Sequence, residues 1–202
     1  MQAVKDLHLK ALRYSIRDLL SGMSRRDRLH LAAGLACGVL QFYGNWMKPY
    51  WESSDIHLAV NNDDHTALLN NLYLSWPLST PASGSSVRET TYSSPHIHDN
   101  ILFPLALTLT ELFLGKPITA LAMPEDGSGN EQMIRFNTAS RLLKRVYCES
   151  GTNYGDVVHS CLFWSGKNSL CLDDKIYEER VFDTVMSPLL EDLLYFEGVH
   201  AI

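Results

Sequence analysis

Residues 100–118, Asn-Ile-Leu-Phe-Pro-Leu-Ala-Leu-Thr-Leu-Thr-Glu-Leu-Phe-Leu-Gly-Lys-Pro-Ile, form an apolar run closed by Gly-Lys-Pro, and they constrain the chain more than any other stretch. Leucine or a larger apolar group falls on every helical face, so a helix here must be surrounded by protein rather than laid on a surface. Asn100 is placed to cap its start, Pro104 is tolerated only near the first turn, and Gly115 with Pro117 ends it. About 14 unbroken residues are too few to span a bilayer, which needs about 20. Thr108, Thr110 and Glu111 also interrupt the apolar pattern. The run therefore predicts the central buried helix of a soluble domain with no membrane span.

The 202 residues suit one domain over 1–202 and can bury a sizeable core. Hydrophobic residues at 46% and charged residues at 20% give a globular balance. A net charge of −6 argues against nucleic acid as a partner, because a phosphate-binding surface needs clustered Lys and Arg. The one basic cluster, Arg25-Arg26 with Arg28, is broken by Asp27 and reads as a solvated helix start. Cys37, Cys148, Cys161 and Cys171 show no paired CxxC spacing, which suits a reduced, intracellular and cytoplasmic chain. No secretory signal and no lipidation motif is visible.

In chain order, Val4, Leu7, Ala11 or Leu12, Ile16, Leu19 and Leu20 share a stripe, with Lys5, Lys10, Arg13 and Arg17 mostly opposite. The pattern predicts an amphipathic helix over residues 4–22, ending at Gly22. Ser24 and Asp27 have capping-box spacing, opening a second helix from about Arg25 to Tyr43 that stops at Gly44. Gly34 and Gly38 lie one turn apart in it and predict a groove for a close backbone approach, with Cys37 in the core. Trp46, Tyr50 and Trp51 read as a hydrophobic plug under a loop. Residues 55–60 alternate like a half-buried strand, Asn61–Asp64 is the following turn, and Leu72-Tyr-Leu74 is the partner strand of a short hairpin. Residues 77–99 and 123–132 read as loops. Helices are expected over 134–149, with Arg135, Arg141, Lys144 and Arg145 exposed, over 154–163, and over 173–194, interrupted or re-angled at Pro188. The fold class is mainly α with one short β-hairpin.

The order of elements resembles the C-terminal lobe of a protein kinase. Arg28–Leu40 looks like the long helix before a kinase catalytic loop, Asp55-Ile-His-Leu58 like the strand after it, and Leu105–Lys116 like the central helix of that lobe. Over Ser24–Tyr43, Trp51–Ala59, Asn100–Pro117 and Asp173–Leu193 the chain resembles more closely a fungal kinase-like family of unassigned biochemistry. That family typically follows a helical prion-inhibition-and-propagation (HeLo-type) domain. The resemblance implies a kinase-C-lobe-like helical domain with no N-terminal lobe, in fungal signalling or incompatibility-type recognition.

Carried over residue by residue, the resemblance argues against phosphotransfer. If Asp55 stands where a kinase keeps its metal-binding Asn, the catalytic His-Arg-Asp falls on Lys48-Pro49-Tyr50 and the catalytic-loop Lys on Glu52. The Asp-Phe-Gly position falls near Ser75-Trp76-Pro77, and no GxGxxG occurs. Aligned on Glu111, Ile101 replaces an aspartate that braces the loop.

Outside that resemblance, His96-Ile-His98-Asp99 is the one local cluster of good metal ligands; in an extended segment both histidines share a face. His159 and Cys161, two apart on a helix, point apart and make no nucleophilic pair. Glu111, if buried, must be paired or protonated, and reads as a hydrogen-bonded strut ahead of a general acid. The site candidates are thus His96, His98, Glu111 and Asp55 for catalysis and His96, His98 and Asp99 for metal, with no cofactor implied. The expected function is a non-catalytic, pseudokinase-like interaction module whose partner is a protein, an adjacent domain or a second copy. The alternative is a kinase-like scaffold redeployed as a biosynthetic enzyme, with a small-molecule pocket lined by Trp46, Tyr50, Trp51 or Trp76 and polar groups such as His96, His98 or Glu111.

Overall fold

The computed structural model describes residues 12–42, 51–60, 72–74, 99–164 and 175–199. The elements are β1 (Leu12–Ser15), α1 (Ile16–Leu19), α2 (Arg25–Phe42), β2 (Ile56–Val60), β3 (Leu72–Leu74), α3 (Leu102–Leu114), α4 (Ile118–Leu121), α5 (Glu131–Ser150), α6 (Thr152–Leu162), α7 (Lys175–Val181) and α8 (Ser187–Phe196). The fold is mainly helical, with a small antiparallel sheet in the order β1-β2-β3.

Helix α3 is the centre, as its composition dictates. Every residue from Leu102 to Leu114 is buried, and α2, α5, α6 and α4 pack around it. Each of its leucines contributes roughly 1.5–3 kcal/mol relative to exposure. Its C-terminus follows the expectation: Gly115 takes φ 68°, and its N–H returns to the Glu111 carbonyl at 2.8 Å. Its N-terminus does not. Asn100 is exposed, and Asp99 Oδ1 instead accepts the N–H groups of Ile101 and Leu102 at 2.8 and 2.7 Å. A carboxylate one residue upstream reaches both free amides and suits the positive end of the helix.

The predicted continuous helix over 4–22 is corrected: residues 12–15 are a strand, paired Leu12 with Val60 through Ser15 with His57, and only 16–19 are helical. The reason is a second capping box. Ser15 is extended, its hydroxyl accepts from the Asp18 N–H, and Asp18 Oδ2 accepts from the Ser15 N–H at 3.1 Å, so a helix must start there. The expected hairpin strands are present as β2 and β3, with Ile56 opposite Leu74. The sheet has three strands rather than two because β1 pairs with the other edge of β2. The 61–64 turn lies outside the described residues, as do Trp46, Tyr50, Trp76 and the 77–99 loop except Asp99.

Helix α2 starts at the predicted box, with Asp27 Oδ2 accepting the Ser24 N–H at 3.2 Å. Arg28 is not solvated: it is half-buried and donates to the carbonyls of Phe113 and Met23 at 2.7 and 3.2 Å, closing the C-terminal end of α3. The 123–132 segment is less irregular than expected. A 3-10 turn at Pro124–Asp126 buries Asp126, and α5 starts at Glu131 behind an Asn130 cap. Arg141, predicted exposed, forks onto Asp126 with both contacts at 2.7 Å; Thr138 and the Met123 N–H add further bonds to the same carboxylate. Arg141 thereby holds the Asp126 carboxyl far below the usual carboxylate range. The last long helix is interrupted ahead of Pro188. Phe182–Met186 is a π-helical turn in which the Ser187 N–H reaches back to the Phe182 carbonyl. Proline at 188 has no N–H and crowds the carbonyl four residues earlier, so the turn before it widens.

The close approach expected at Gly38 is absent among the described residues and is found instead at Gly155. A Cβ at Gly38 would meet no described atom within 4 Å, whereas one at Gly155 in α6 would lie inside the ring of Tyr147 on α5. That ring is pinned by its hydroxyl, which donates to Asp156 at 2.7 Å. Gly38→Ala should therefore stabilise by about 0.5–1 kcal/mol through helix propensity, and Gly155→Ala should destabilise by about 1–3 kcal/mol through overpacking. Urea melts of the two variants test this pair of opposite signs; equal shifts would refute the packing assignment.

Candidate functional site

The turn 51–55, immediately before β2, is built as a joint. Trp51 is only 2% exposed and anchors the turn in the core. The Asp55 N–H donates to the Glu52 carbonyl and the Glu52 N–H donates to Asp55 Oδ2, both at 2.9 Å, so the Asp55 carboxylate closes its own turn. Glu52 then bridges two distant elements: Oε2 meets Arg17 of α1 at 3.0 Å and Oε1 meets Arg135 of α5 at 2.6 Å. The other terminal nitrogen of Arg135 meets Glu131 at 2.6 Å. Burial works to raise the Glu52 carboxyl, but the hydrogen bonds and charges of Arg135 and Arg17 outweigh it and leave the group below its ordinary value.

Glu111 lies beneath this joint and is 3% exposed. Its Oε1 accepts the Ile118 N–H at 2.7 Å, so the side chain clamps the corner between α3 and α4. Burial pushes its carboxyl up. The Ile118 N–H, the nearby Ser53 hydroxyl and Arg17 oppose the shift without reversing it. The strut expected from sequence is thus in place, held by a backbone amide rather than by a cation.

The remaining candidates separate. Asp99 gives Oδ1 to the α3 cap and Oδ2 to the Tyr177 hydroxyl at 3.0 Å, fastening α7 to the start of α3. His96 and His98 lie outside the described residues. Among the described residues no group of three His, Cys, Asp or Glu side chains is placed to hold a metal ion. Cys161 is fully buried and its thiol is pushed far up by desolvation, the opposite of an activated nucleophile. Cys37 is half-buried rather than core, and burial raises its thiol as well.

Sequence reasoning missed Arg17 and Arg135, both read as solvent-facing. Arg135 is only 12% exposed, and its one local signal is Glu131 four residues earlier. Two clefts lie near the joint. One of about 180 Å³ runs between α4 and α5 beside Arg135 and Thr138; one of about 230 Å³ lies at the α1–α2 corner beside Asp18, Met23 and Leu58. Both are below the roughly 300–1,000 Å³ of small-molecule sites.

The family model described as "Domain of unknown function (DUF7580)" matches residues 5–196, from ahead of β1 to the last residue of α8. The chain belongs to this family. The joint at 51–55, the clamp at Glu111 and the whole of α3 lie inside the DUF7580 match. No curated protein matches the chain, and no solved structure matches it. No helix among the described residues is long and apolar enough to cross a membrane.

Because the folded protein raises Glu111 above its unfolded value, the group holds more protons folded than unfolded in the interval between the two values. Stability should therefore fall as pH rises from about 4.3 to the folded value. Glu111→Gln keeps an oxygen for the Ile118 N–H and removes the titration. It should flatten that slope in urea melts taken across pH, while Glu111→Ala should cost about 2–4 kcal/mol. A wild-type slope retained in the Gln variant would show that another group produces it.

Proposed function

We propose that this chain is a non-catalytic, pseudokinase-like interaction or regulatory module, acting in fungal intracellular signalling or incompatibility-type recognition. Its partner would be a protein, an adjacent domain or a second copy of the chain. The reading takes its scaffold from the resemblance to a kinase C-terminal lobe. It is supported by the order of a long capped helix, an antiparallel strand pair and a fully buried helix ending in Gly-Lys-Pro.

The observation that carries it is Glu52. Where the resemblance puts the catalytic-loop lysine, this chain has a carboxylate bound on both oxygens by Arg17 and Arg135. A lysine there would neutralise charge on a transferring phosphoryl group; a carboxylate would repel it. Asp55, in the place of a metal-binding amide, has a carboxylate oxygen occupied in closing its turn. The acidic groups of this loop therefore serve as structural joints.

Of the residues named for the small-molecule reading, Trp51 and Glu111 are described; both are buried in the core, and neither lines the clefts of about 180, 230 and 480 Å³.

The chain should show no rise in melting temperature with millimolar ATP and magnesium, and no phosphate transfer to itself or to a generic acceptor protein. Nucleotide at 100 times its Kd would add about 2.7 kcal/mol. A shift of several degrees therefore sinks the reading.

A further inference from the structure

Phe182, on the π-helical turn between α7 and α8, is 46% exposed although it is a large apolar side chain. It lines an open groove of about 480 Å³ with Gln41, Glu178, Glu179 and Asp183. The features around this groove share one sign. Glu178, Glu179 and Asp183 are exposed and pair with no described cation. Helix α2 ends one residue after Gln41 with no basic residue in its last turn, so its carbonyl end adds partial negative charge. The face of the Phe182 ring is itself the negative face of an aromatic quadrupole.

Of the two cations of α7, Arg180 is held 4.7 Å over the Trp164 ring and Lys175 stands exposed at the helix start. A metal ion does not suit the groove, because no three acidic, His or Cys side chains among the described residues converge as ligands. Spread carboxylates around an exposed ring suit a flat, delocalised cation that can stack and form forked hydrogen bonds at once, which is the guanidinium rather than the compact ammonium. The chain uses both contacts internally, in Arg180 over Trp164 and in Arg135 forked between Glu52 and Glu131.

We propose that the groove between α7, the π-helical turn and the end of α2 docks an arginine-bearing basic segment of a partner protein, one guanidinium stacking on Phe182 and pairing with the surrounding carboxylates. The groove volume lies within the roughly 300–1,000 Å³ range of binding sites, and the acidic rim repels nucleic acid and anionic membrane. The proposal rests on the interaction-module reading and names where, and by what chemistry, a partner is held.

The test is fluorescence anisotropy of the full chain with a labelled Gly-Arg-Leu-Arg-Arg-Gly peptide, its all-lysine counterpart, and spermine as competitor, at about 0.15 M salt. Saturable binding of the arginine peptide, about three- to tenfold weaker binding of the lysine peptide, and a further loss of about tenfold in Phe182→Ala or Asp183→Asn are expected. Both side chains are exposed, so melts of the variants should match the parent. The arginine-to-lysine comparison uses the unaltered chain and decides the matter even if a variant fails to fold. Equal affinity for both peptides, displacement by spermine at equal potency, affinity untouched by Phe182→Ala, or no saturable binding overturns the proposal. So does a dimer in sedimentation that either variant dissociates, since the face then belongs to a second copy. ATP binding would sink the module reading and leave these peptide results standing; absent peptide binding would sink the groove alone.

Discussion

The complete burial of α3 is the constraint from which the rest of the structure follows. A helix apolar on every side can be removed from water only if protein covers its whole circumference, and α2, α4, α5 and α6 are the elements that do so. Burial on all faces also leaves its few polar groups without water. Thr110 donates to the Ala106 carbonyl at 2.8 Å, Glu111 accepts from Ile118, and the Leu109 carbonyl takes a second donor, the hydroxyl of the fully buried Tyr154, at 2.9 Å. The ends of α3 are met in the same way, by Asp99 at the start and by Gly115 and Arg28 at the finish. A buried helix dictates its neighbours through the groups it cannot leave unpaired as much as through its leucines.

The acidic residues show how environment decides role. Asp126 and Glu52 are each gripped by arginine and sit below their ordinary values, so they act as fixed charges, Asp126 fastening the 124–126 turn to the helix that follows it and Glu52 joining elements far apart in sequence. Glu111 has no ion pair among the described residues, and desolvation pushes it the other way. The two behaviours come from one principle, the balance of lost hydration against local charge and hydrogen bonding. At the turn 51–55 that balance yields a rigid corner. Carboxylates bound to arginines, or closing their own turn, are poorly placed to recruit magnesium or phosphate, and this is the physical basis for reading the chain as a binding module.

Much of the fold was legible. The capping box at Ser24 and Asp27, the length and end of α3, the two strands around 56–74 and the amphipathic helices α5 and α6 all follow from local periodicity and stop signals. The misreadings have specific causes. Ser15 and Asp18 form a capping box like the one at Ser24, but the apolar stripe over 4–22 runs through it with a helical period, so the strand at 12–15 does not show in the local pattern. Arg135 and Arg141 fall on the polar side of α5 by periodicity, yet the turns at 51–55 and 124–126 bring carboxylates onto that side. Gly38 and Gly155 are equally small in the sequence; only the position of the Tyr147 ring separates the replaceable one from the required one.

By itself, the sequence determined most of the helical segments and which helix is central. These depend on residue type and on spacing within one or two turns, where backbone geometry leaves few alternatives. The tertiary structure alone decided which arginines are structural, that Glu111 clamps Ile118, that β1 completes a third strand, and that Phe182 stands in an acidic groove. Those outcomes depend on contacts between residues distant in sequence, as where Glu52 meets Arg17 and Arg135, 35 and 83 positions away. No local pattern encodes where such groups meet, because their meeting is set by how helices pack around a common core.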